Sequence, residues 1–187
     1  MKYGKFVELT NLSSELMFVA KAIGDEEERP QLKYIHIEPS RKSEGLLGIA
    51  TDGRRIHMVD PIDPKIVEHF ELNTGFWRVV KKTLNCLQLA RLDDSETAKL
   101  TFPNWDKVVP SDDAEFITTF QGFSRYKNHW NLSKLIRGFP EHTPMSLRYL
   151  RALGTTFTWD VRWYANNKAV KFTAGNYTAV IMPLADF

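Results

Sequence analysis

Apolar residues recur at the spacing of one helical face in three parts of the chain, which predicts three short helices. Side-chain oxygens that can cap a helix precede each part, at Asn11 or Ser13, at Asn73 or Thr74, and at Asn131. The apolar faces are, in order, Leu12/Leu16/Val19/Ala20/Ile23, Phe76/Val79/Val80 and Leu132/Leu135/Ile136/Phe139.

Alternation of apolar and polar positions between these helices predicts β-strands, separated by turn residues such as Asp52-Gly53 and Gly175-Asn176. The predicted strands are residues 32–38, 46–50, 55–59, 67–72, 87–92, 98–102, 114–120, 146–150, 156–164, 169–173 and 177–182. A helix followed by several strands therefore occurs three times, without a close sequence repeat. This order predicts an α+β fold with short helices on antiparallel sheets.

The composition is that of an ordinary globular protein, with 43% hydrophobic and 26% charged residues in 187 positions, enough for one domain or two small ones. The single cysteine, Cys86, excludes an intramolecular disulfide and a cysteine-based zinc site. No signal-peptide pattern and no long apolar run is present, so no membrane association is expected. The sequence therefore predicts a cytoplasmic protein.

The sequence offers little chemistry for an enzyme. No glycine-rich phosphate loop or nucleophile elbow is present, and His57 with Asp52 or Asp60 is the one candidate dyad, although turn formation explains these aspartates more simply. Cys86 fits a buried small hydrophobe better than a nucleophile. The histidines show no metal-ligand spacing; they are His36, His57, His69, His129 and His142. We expect no catalytic group, cofactor or metal.

Three short segments resemble, in the same order, segments of the bacterial replication clamp, the β subunit of the replicative polymerase. Residues 50–57, Ala-Thr-Asp-Gly-Arg-Arg-Ile-His, resemble the alanine-threonine-aspartate-glycine signature of the clamp's middle domain. Residues 102–110, Phe-Pro-Asn-Trp-Asp-Lys-Val-Val-Pro, resemble the stretch that leads out of that domain, and residues 177–184 resemble the clamp's closing strand. Asn131-Leu132-Ser133 also matches the start of the clamp's last helix.

The resemblance implies a DNA-clamp-like α+β fold of about one and a half clamp domains. Residues 1–110 would correspond to the middle clamp domain and residues 111–187 to the end of the last one. The family closes a ring as a head-to-tail dimer of three-domain chains, whereas this sequence matches neither the first domain nor the front half of the last one. The tail, residues 185–187, also departs from the Arg-Leu ending of familiar clamps.

In the clamp family these segments converge on a shallow pocket that binds short peptides of polymerases and other partners. The matching residues here are Thr51, Gly53, Arg54, Arg55, Ile56, Pro103, Lys107, Val108, Val180, Met182 and Pro183. Glycine lets a peptide approach the backbone, and aliphatic and methionine side chains adapt to apolar groups. The alternative to a peptide pocket is that the three segments are an ordinary hairpin turn, a strand that ends at a proline and a buried final strand.

The resemblance also implies contact with double-stranded DNA, because clamp helices line the ring and offer cations to phosphates. Two stretches without acids, residues 72–92 and 116–140, supply cations off the apolar faces of the predicted second and third helices, and Lys21 is the one contribution of the first. The candidates are Arg78, Lys81, Lys82, Arg125, Lys127, Lys134 and Arg137. The alternative is a solvated helix surface.

Five tryptophans raise the alternative of base stacking, but Trp159 and Trp163 share one face of a predicted strand and fit a core or a subunit interface better. Two functions are therefore expected. One is a sliding-clamp-like binding module of DNA replication or repair that forms a homo-oligomer. The other is an adaptor or decoy, of a phage or mobile-element type, that binds clamp-binding peptides without encircling DNA.

Overall fold

The computed structural model divides the chain into two compact units, Met1–Pro103 and Asn104–Phe187. It describes residues 2–10, 14–25, 27–83, 86–110, 116–121, 145–154, 157–164 and 169–183. The correspondence of residues 1–110 and 111–187 to clamp domains stays a prediction. In the described part of the chain, no helix has the length and apolar character needed to cross a membrane.

The strands described in the first unit form one antiparallel sheet in the order β1-β6-β5-β2-β3-β4. These strands are β1 (Tyr3–Thr10), β2 (Tyr34–Pro39), β3 (Leu46–Thr51), β4 (Arg55–Val59), β5 (Gly75–Lys82) and β6 (Cys86–Leu92). The helices are α1 (Ser14–Val19), α2 (Pro64–His69) and α3 (Asp94–Thr97), with 3-10 turns at Ala20–Ala22 and Pro30–Lys33.

One face of this sheet carries α1, and we call it the helix face. Gly48 in β3 permits the close packing, since a Cβ there would lie 3.2 Å from Ile62 and 3.4 Å from Leu16. The ring of Phe18 in α1 stacks on the ring of His57 in β4, with 4.4 Å between centroids. Burial of this apolar helix surface against β3 and β4 is the main stabilisation of so short a helix.

The opposite face of the sheet, which we call the open face, is only partly covered. Tyr34, Phe76 and Leu92 form a buried cluster there, and Tyr3, Leu100 and Phe102 pack against it. The last two lie in the segment after α3, which runs over the sheet without joining it. The parts of β1 and β5 beyond this cluster carry exposed side chains, including Phe6.

In the second unit, the described strands form an antiparallel sheet in the order β10-β9-β8-β7. Its elements are β7 (Phe116–Gln121), α4 (Leu147–Ala152), β8 (Thr158–Trp163), β9 (Val170–Ala174) and β10 (Tyr177–Ile181), preceded by a 3-10 turn at Trp105–Lys107. Trp159, Val161 and Trp163 alternate with more exposed positions along β8 and are buried. The prediction that Trp159 and Trp163 share a core face is thus confirmed.

Four predicted elements have the wrong type. The second predicted helix is strand β5, where the aromatic and β-branched run from Phe76 to Val80 pairs with β2 and β6. The first three residues of the predicted strand 67–72 belong to α2, because Asp63 accepts a hydrogen bond from the backbone N–H of Lys65 and Pro64 occupies the first turn. The last three residues form no strand.

The predicted hairpin of residues 87–92 and 98–102 keeps only its first strand. Asp93 accepts a hydrogen bond from the N–H of Glu96 and begins α3, and the chain after α3 has no partner strand among the described residues. The predicted strand 146–150 is helix α4, with Leu150 buried. The predicted first helix and the strands β2, β3, β4 and β7 to β10 are present, and the third predicted helix lies outside the described residues.

Candidate functional site

The turn between β3 and β4 is held by its own side chains. The hydroxyl of Thr51 donates to the carbonyl oxygen of Arg55 at 2.7 Å and accepts from the N–H of Gly53 at 3.0 Å. Gly53 has a φ of +82°, which glycine adopts without strain, and a Cβ there would lie 3.2 Å from the guanidinium of Arg29. The hairpin predicted from Asp52-Gly53 is therefore a rigid turn.

Asp52 and Arg55 form the second set of contacts in this turn. One oxygen of Asp52 accepts from the backbone N–H groups of Arg54 and Arg55, each at 3.0 Å, and the other accepts from Nε of Arg55 at 2.9 Å. The guanidinium of Arg55 also donates to the carbonyl oxygen of Lys21, after α1. Arg55 is only 5% exposed, so its side chain links the turn to α1, whereas Arg54 is exposed.

The other predicted pocket residues occupy defined places. Ile56 is buried in β4, and Pro103 is exposed at the end of the first unit. In the second unit, Lys107 is exposed and Val108 is half-buried near the 3-10 turn. Val180 is buried in β10, and Met182 and Pro183 follow this strand with half-buried side chains.

Within the second unit, Lys171 brings two of these segments into one region. It lies opposite Val180 in the pairing of β9 with β10, and its ammonium donates to the carbonyl oxygen of Pro110 at 3.4 Å. The segment that carries Lys107 and Val108 therefore ends within reach of a β9 side chain, and β9 pairs with the strand that carries Val180. This is the proximity that a pocket built from both segments would need.

The cations predicted on a second helix are divided between two faces of the sheet, because β5 is a strand. Arg78 lies opposite Ala90 and Lys81 opposite Gln88, so both project from the open face. Lys82 lies opposite the buried Leu87 and projects from the helix face. The remaining candidates lie outside the described residues; they are Arg125, Lys127, Lys134 and Arg137.

Lys82 belongs to a group of cations on the helix face that the sequence did not reveal. Desolvation lowers the pKa of Lys82, and the charges of Lys21 and Arg55 lower it further. Desolvation also lowers the pKa of Lys21, again assisted by Arg55. Lys21, Arg55 and Lys82 therefore form one cationic group on the helix face, in which Arg55 is paired with Asp52.

Sequence reasoning also missed two exposed arginines, Arg148 and Arg151. They lie in α4, with Leu150 as its buried residue. Residues 146–150 were predicted as a strand, so the two arginines were not placed on one helix. The signal was present in Leu147, Leu150 and the absence of β-branched residues from residues 147–152.

His57 does not form a catalytic dyad. Its Nδ1 lies 2.9 Å from the carbonyl oxygen of Phe18, and Asp52 is engaged with Arg55 instead. Burial is the main cause that lowers the pKa of His57 to about 3, so the imidazole is neutral. No group of three or more histidine, cysteine, aspartate or glutamate side chains suited to a metal ion occurs among the residues described.

Cys86 is half-buried at the start of β6 and was expected to be buried. Its Sγ donates to Glu8 at 3.2 Å, and this hydrogen bond is the largest cause that raises the pKa of the thiol. A raised pKa keeps the sulfur protonated and weakly nucleophilic.

No family model and no curated protein matches the sequence. Solved structures do match, and they are bacterial DNA polymerase III β subunits. The protein from Borrelia burgdorferi, in complex with a natural product, aligns with a TM-score of 0.58 and 12% identity over 100% of this chain and 64% of its own. The Streptococcus pyogenes subunit gives 0.58 and 12%, covering 100% and 68%.

The sliding clamp from Bartonella birtlesii, bound to griselimycin, aligns with a TM-score of 0.57 and 14% identity, over 100% of this chain and 68% of that protein. The chain thus spans roughly two thirds of the length of these clamps, between 64% and 68% for these three. The fold is that of a DNA clamp, with a sequence identity of 12% to 14% to these three proteins.

Proposed function

We propose that this protein is a clamp-like binding module of DNA replication or repair that acts in the cytoplasm without catalysing a reaction. The observation that carries the proposal is the match of the clamp fold to 100% of the chain. A neutral, buried His57 and a protonated Cys86 support a binding role over catalysis. In this function, the helix face contacts DNA and the turn between β3 and β4 contributes to a groove for partner peptides.

Duplex DNA contact on the helix face rests on Lys21 and Lys82. Desolvation and neighbouring positive charge lower the pKa of both lysines, and a phosphate beside either ammonium would favour its charged form. Such contact is independent of sequence and weakens with salt. Arg125, Lys127, Lys134 and Arg137 belong to the same proposal through the clamp's last helix.

Lys82→Ala should reduce the slope of log affinity against log salt by about one and weaken duplex binding several-fold at low salt. The matched control is Lys81→Ala, which removes the same charge from the next residue but on the other face. Fluorescence anisotropy with a labelled duplex at several salt concentrations measures both variants. Equal slopes for Lys82→Ala and the unchanged protein would exclude this contact.

Peptide binding is proposed for residues of each unit. In the first unit they are Thr51, Gly53, Arg54, Arg55, Ile56 and Pro103. In the second unit they are Lys107, Val108, Val180, Met182 and Pro183. The Bartonella clamp bound to griselimycin and the Borrelia clamp bound to a natural product support a fold able to hold small ligands. Arg54 supplies an exposed cation at the turn, while Met182 supplies an adaptable apolar surface.

Met182→Ala is expected to weaken binding of a fluorescent clamp-binding peptide about tenfold, because a half-buried methionine at a groove contributes apolar contact area. Arg54→Ala should weaken it less, through loss of a rim charge. Arg41→Ala, which removes an exposed arginine from another loop, is the control. Unchanged peptide affinity in both Met182→Ala and Arg54→Ala would refute the groove.

The second candidate, an adaptor that encircles nothing, is kept because the chain covers only 64% of the Borrelia clamp. For the clamp function we propose a closed ring of several copies of this chain. Light scattering should then give a mass that is a multiple of 21.6 kDa. A monomer that still binds peptide would favour the adaptor.

A further inference from the structure

The open face of the first unit carries an exposed aromatic residue and two cations in neighbouring positions. Phe6 in β1 lies opposite Ala90 in β6, and Ala90 lies opposite Arg78 in β5, so the three form a row across these strands. Lys81 lies in the next row, opposite Gln88. Directly opposed residues project from the same face of a sheet, so Phe6, Arg78 and Lys81 share one surface.

Phe6 is unusually exposed for a phenylalanine. Its relative exposure is 66%, the highest among the large hydrophobic residues described as exposed. Its ring meets that of Tyr3 edge-on, with 5.9 Å between centroids and 60° between planes. The Tyr3 contact limits the freedom of the ring while leaving most of it open to solvent.

Arg78 is attached to the same platform. Its guanidinium donates to the hydroxyl of Tyr3 at 2.6 Å, and this hydrogen bond is the main cause that raises the pKa of Arg78. Tyr3 therefore joins the aromatic ring of Phe6 to a permanently charged guanidinium. The ammonium of Lys81 is exposed in the neighbouring row.

An acid also lies on this surface. Glu8 is opposite Gln88, and its two oxygens accept from the amide of Gln88 at 2.6 Å and from the thiol of Cys86 at 3.2 Å. These hydrogen bonds hold the carboxylate against neutral donors of β6. The hydrogen bond from Gln88 is the first cause that lowers the pKa of Glu8, and the charge of Lys81 adds to it. No ion pair joins Arg78 or Lys81 to Glu8 among the described contacts, so both side chains can also contact an anionic ligand.

We infer that this surface, formed by Phe6, Arg78 and Lys81, binds single-stranded nucleic acid. A base stacks on the ring of Phe6, and the adjoining phosphates contact Arg78 and Lys81. Exposed aromatic rings beside cations on an antiparallel sheet suit unpaired bases, because stacking needs a free base face. A duplex offers no such face to Phe6. The inference is independent of the proposed duplex contact, which lies on the opposite side of the sheet.

A fluorescein-labelled oligothymidylate, titrated with the full chain at low salt, tests the inference. Phe6→Ala should weaken its binding about tenfold through loss of stacking, and Arg78→Ala and Lys81→Ala each about threefold. Arg41→Ala, which removes an exposed arginine outside both surfaces, should leave this affinity unchanged. Because Phe6 is exposed, Phe6→Ala should keep the thermal stability of the unchanged protein.

Photo-crosslinking with an oligonucleotide that contains 5-iodouracil gives a second measurement. Crosslinks to peptides that contain Phe6 or Tyr3 are expected. Crosslinks confined to helix-face peptides, or an oligothymidylate affinity that Phe6→Ala does not change, would overturn the inference. A reduced oligomer mass in Phe6→Ala with unchanged oligothymidylate affinity would also overturn it, and would identify this surface as a contact between copies. If Lys82→Ala left the affinity for duplex DNA unchanged, that result would contradict the proposed duplex contact and would not bear on this inference.

Discussion

Arg55→Ala should lower the free energy of unfolding by about 3 kcal/mol, because it removes one partner of a buried ion pair. Arg55 is 5% exposed, and its Nε donates to Asp52 while its Nη2 donates to the carbonyl oxygen of Lys21. Without it, these acceptors lose a charged donor in a site that water reaches poorly, and the arginine stem no longer packs between β4 and α1.

Arg54→Ala is the matched control for this measurement. Arg54 is the neighbouring arginine in the same turn, but it is exposed, and only its backbone N–H contacts Asp52. Its removal should change the free energy of unfolding by less than about 0.5 kcal/mol. Urea denaturation followed by tryptophan fluorescence measures both variants. If the two variants had equal stability, the guanidinium of Arg55 would not be holding the turn to α1.

The contrast between Arg54 and Arg55 shows what the turn signature could predict. The Asp52-Gly53 pair predicted a tight hairpin, because glycine accepts the positive φ and aspartate accepts hydrogen bonds from the following residues. The sequence gives no indication of which arginine is buried. That depends on the carbonyl oxygen of Lys21, which is 34 positions away and reaches the turn only through the packing of α1.

The cations of β5 show a second limit of sequence reasoning. Arg78, Lys81 and Lys82 have the same spacing whether the segment is a helix or a strand, and Asn73 and Thr74 resemble helix caps. Pairing with β2 and β6 makes this segment a strand and not a helix. The register shift between Val79 and Lys81 then places Arg78 and Lys81 on one face and Lys82 on the other, a division that local sequence cannot encode.

The second unit was predicted more fully than the first. Strong alternation in β8 and the Gly175-Asn176 turn between β9 and β10 each agree with the tertiary structure. Helix α4 was missed because the spacing of Leu147 and Leu150 was not distinguished from alternation in so short a segment, and the absence of β-branched residues, which favours a helix, was given no weight. Segments with consistent local signals were therefore predicted correctly, and those decided by distant partners were not.

Between pH 7 and pH 4, the free energy of unfolding of the unchanged protein should fall by about 3 kcal/mol more than that of His57→Asn. Nδ1 of His57 must donate to the carbonyl oxygen of Phe18, because a carbonyl cannot donate. Nε2 is then the atom that would take up a proton, and it is buried without a hydrogen-bond partner among the described residues. Burial is the first cause that lowers the pKa of His57 to about 3, and nearby Arg55 and Lys21 add to it.

The sign follows from the two pKa values. Well above pH 6.5, His57 is neutral in both the folded and the unfolded chain, so it contributes no pH dependence to the free energy of unfolding. Between pH 6.5 and pH 3, the unfolded chain binds a proton and the folded chain does not, so stability falls as the pH falls. Asparagine can keep a donor near the carbonyl oxygen of Phe18 and has no proton to gain.

Urea denaturation of both proteins at pH 7 and pH 4 gives the comparison. Acids that titrate in this range, and His36, whose pKa burial also lowers, contribute equally to both proteins and cancel in the difference. His69→Asn is the control for the substitution itself, because His69 is exposed in α2 and its replacement should change the free energy of unfolding at pH 7 by less than about 0.5 kcal/mol. The contrary result would be that the stability of His57→Asn falls with pH as steeply as that of the unchanged protein. The folded protein would then bind the proton at His57. In that case His57 would not be the neutral, buried base that its packing against Phe18 requires.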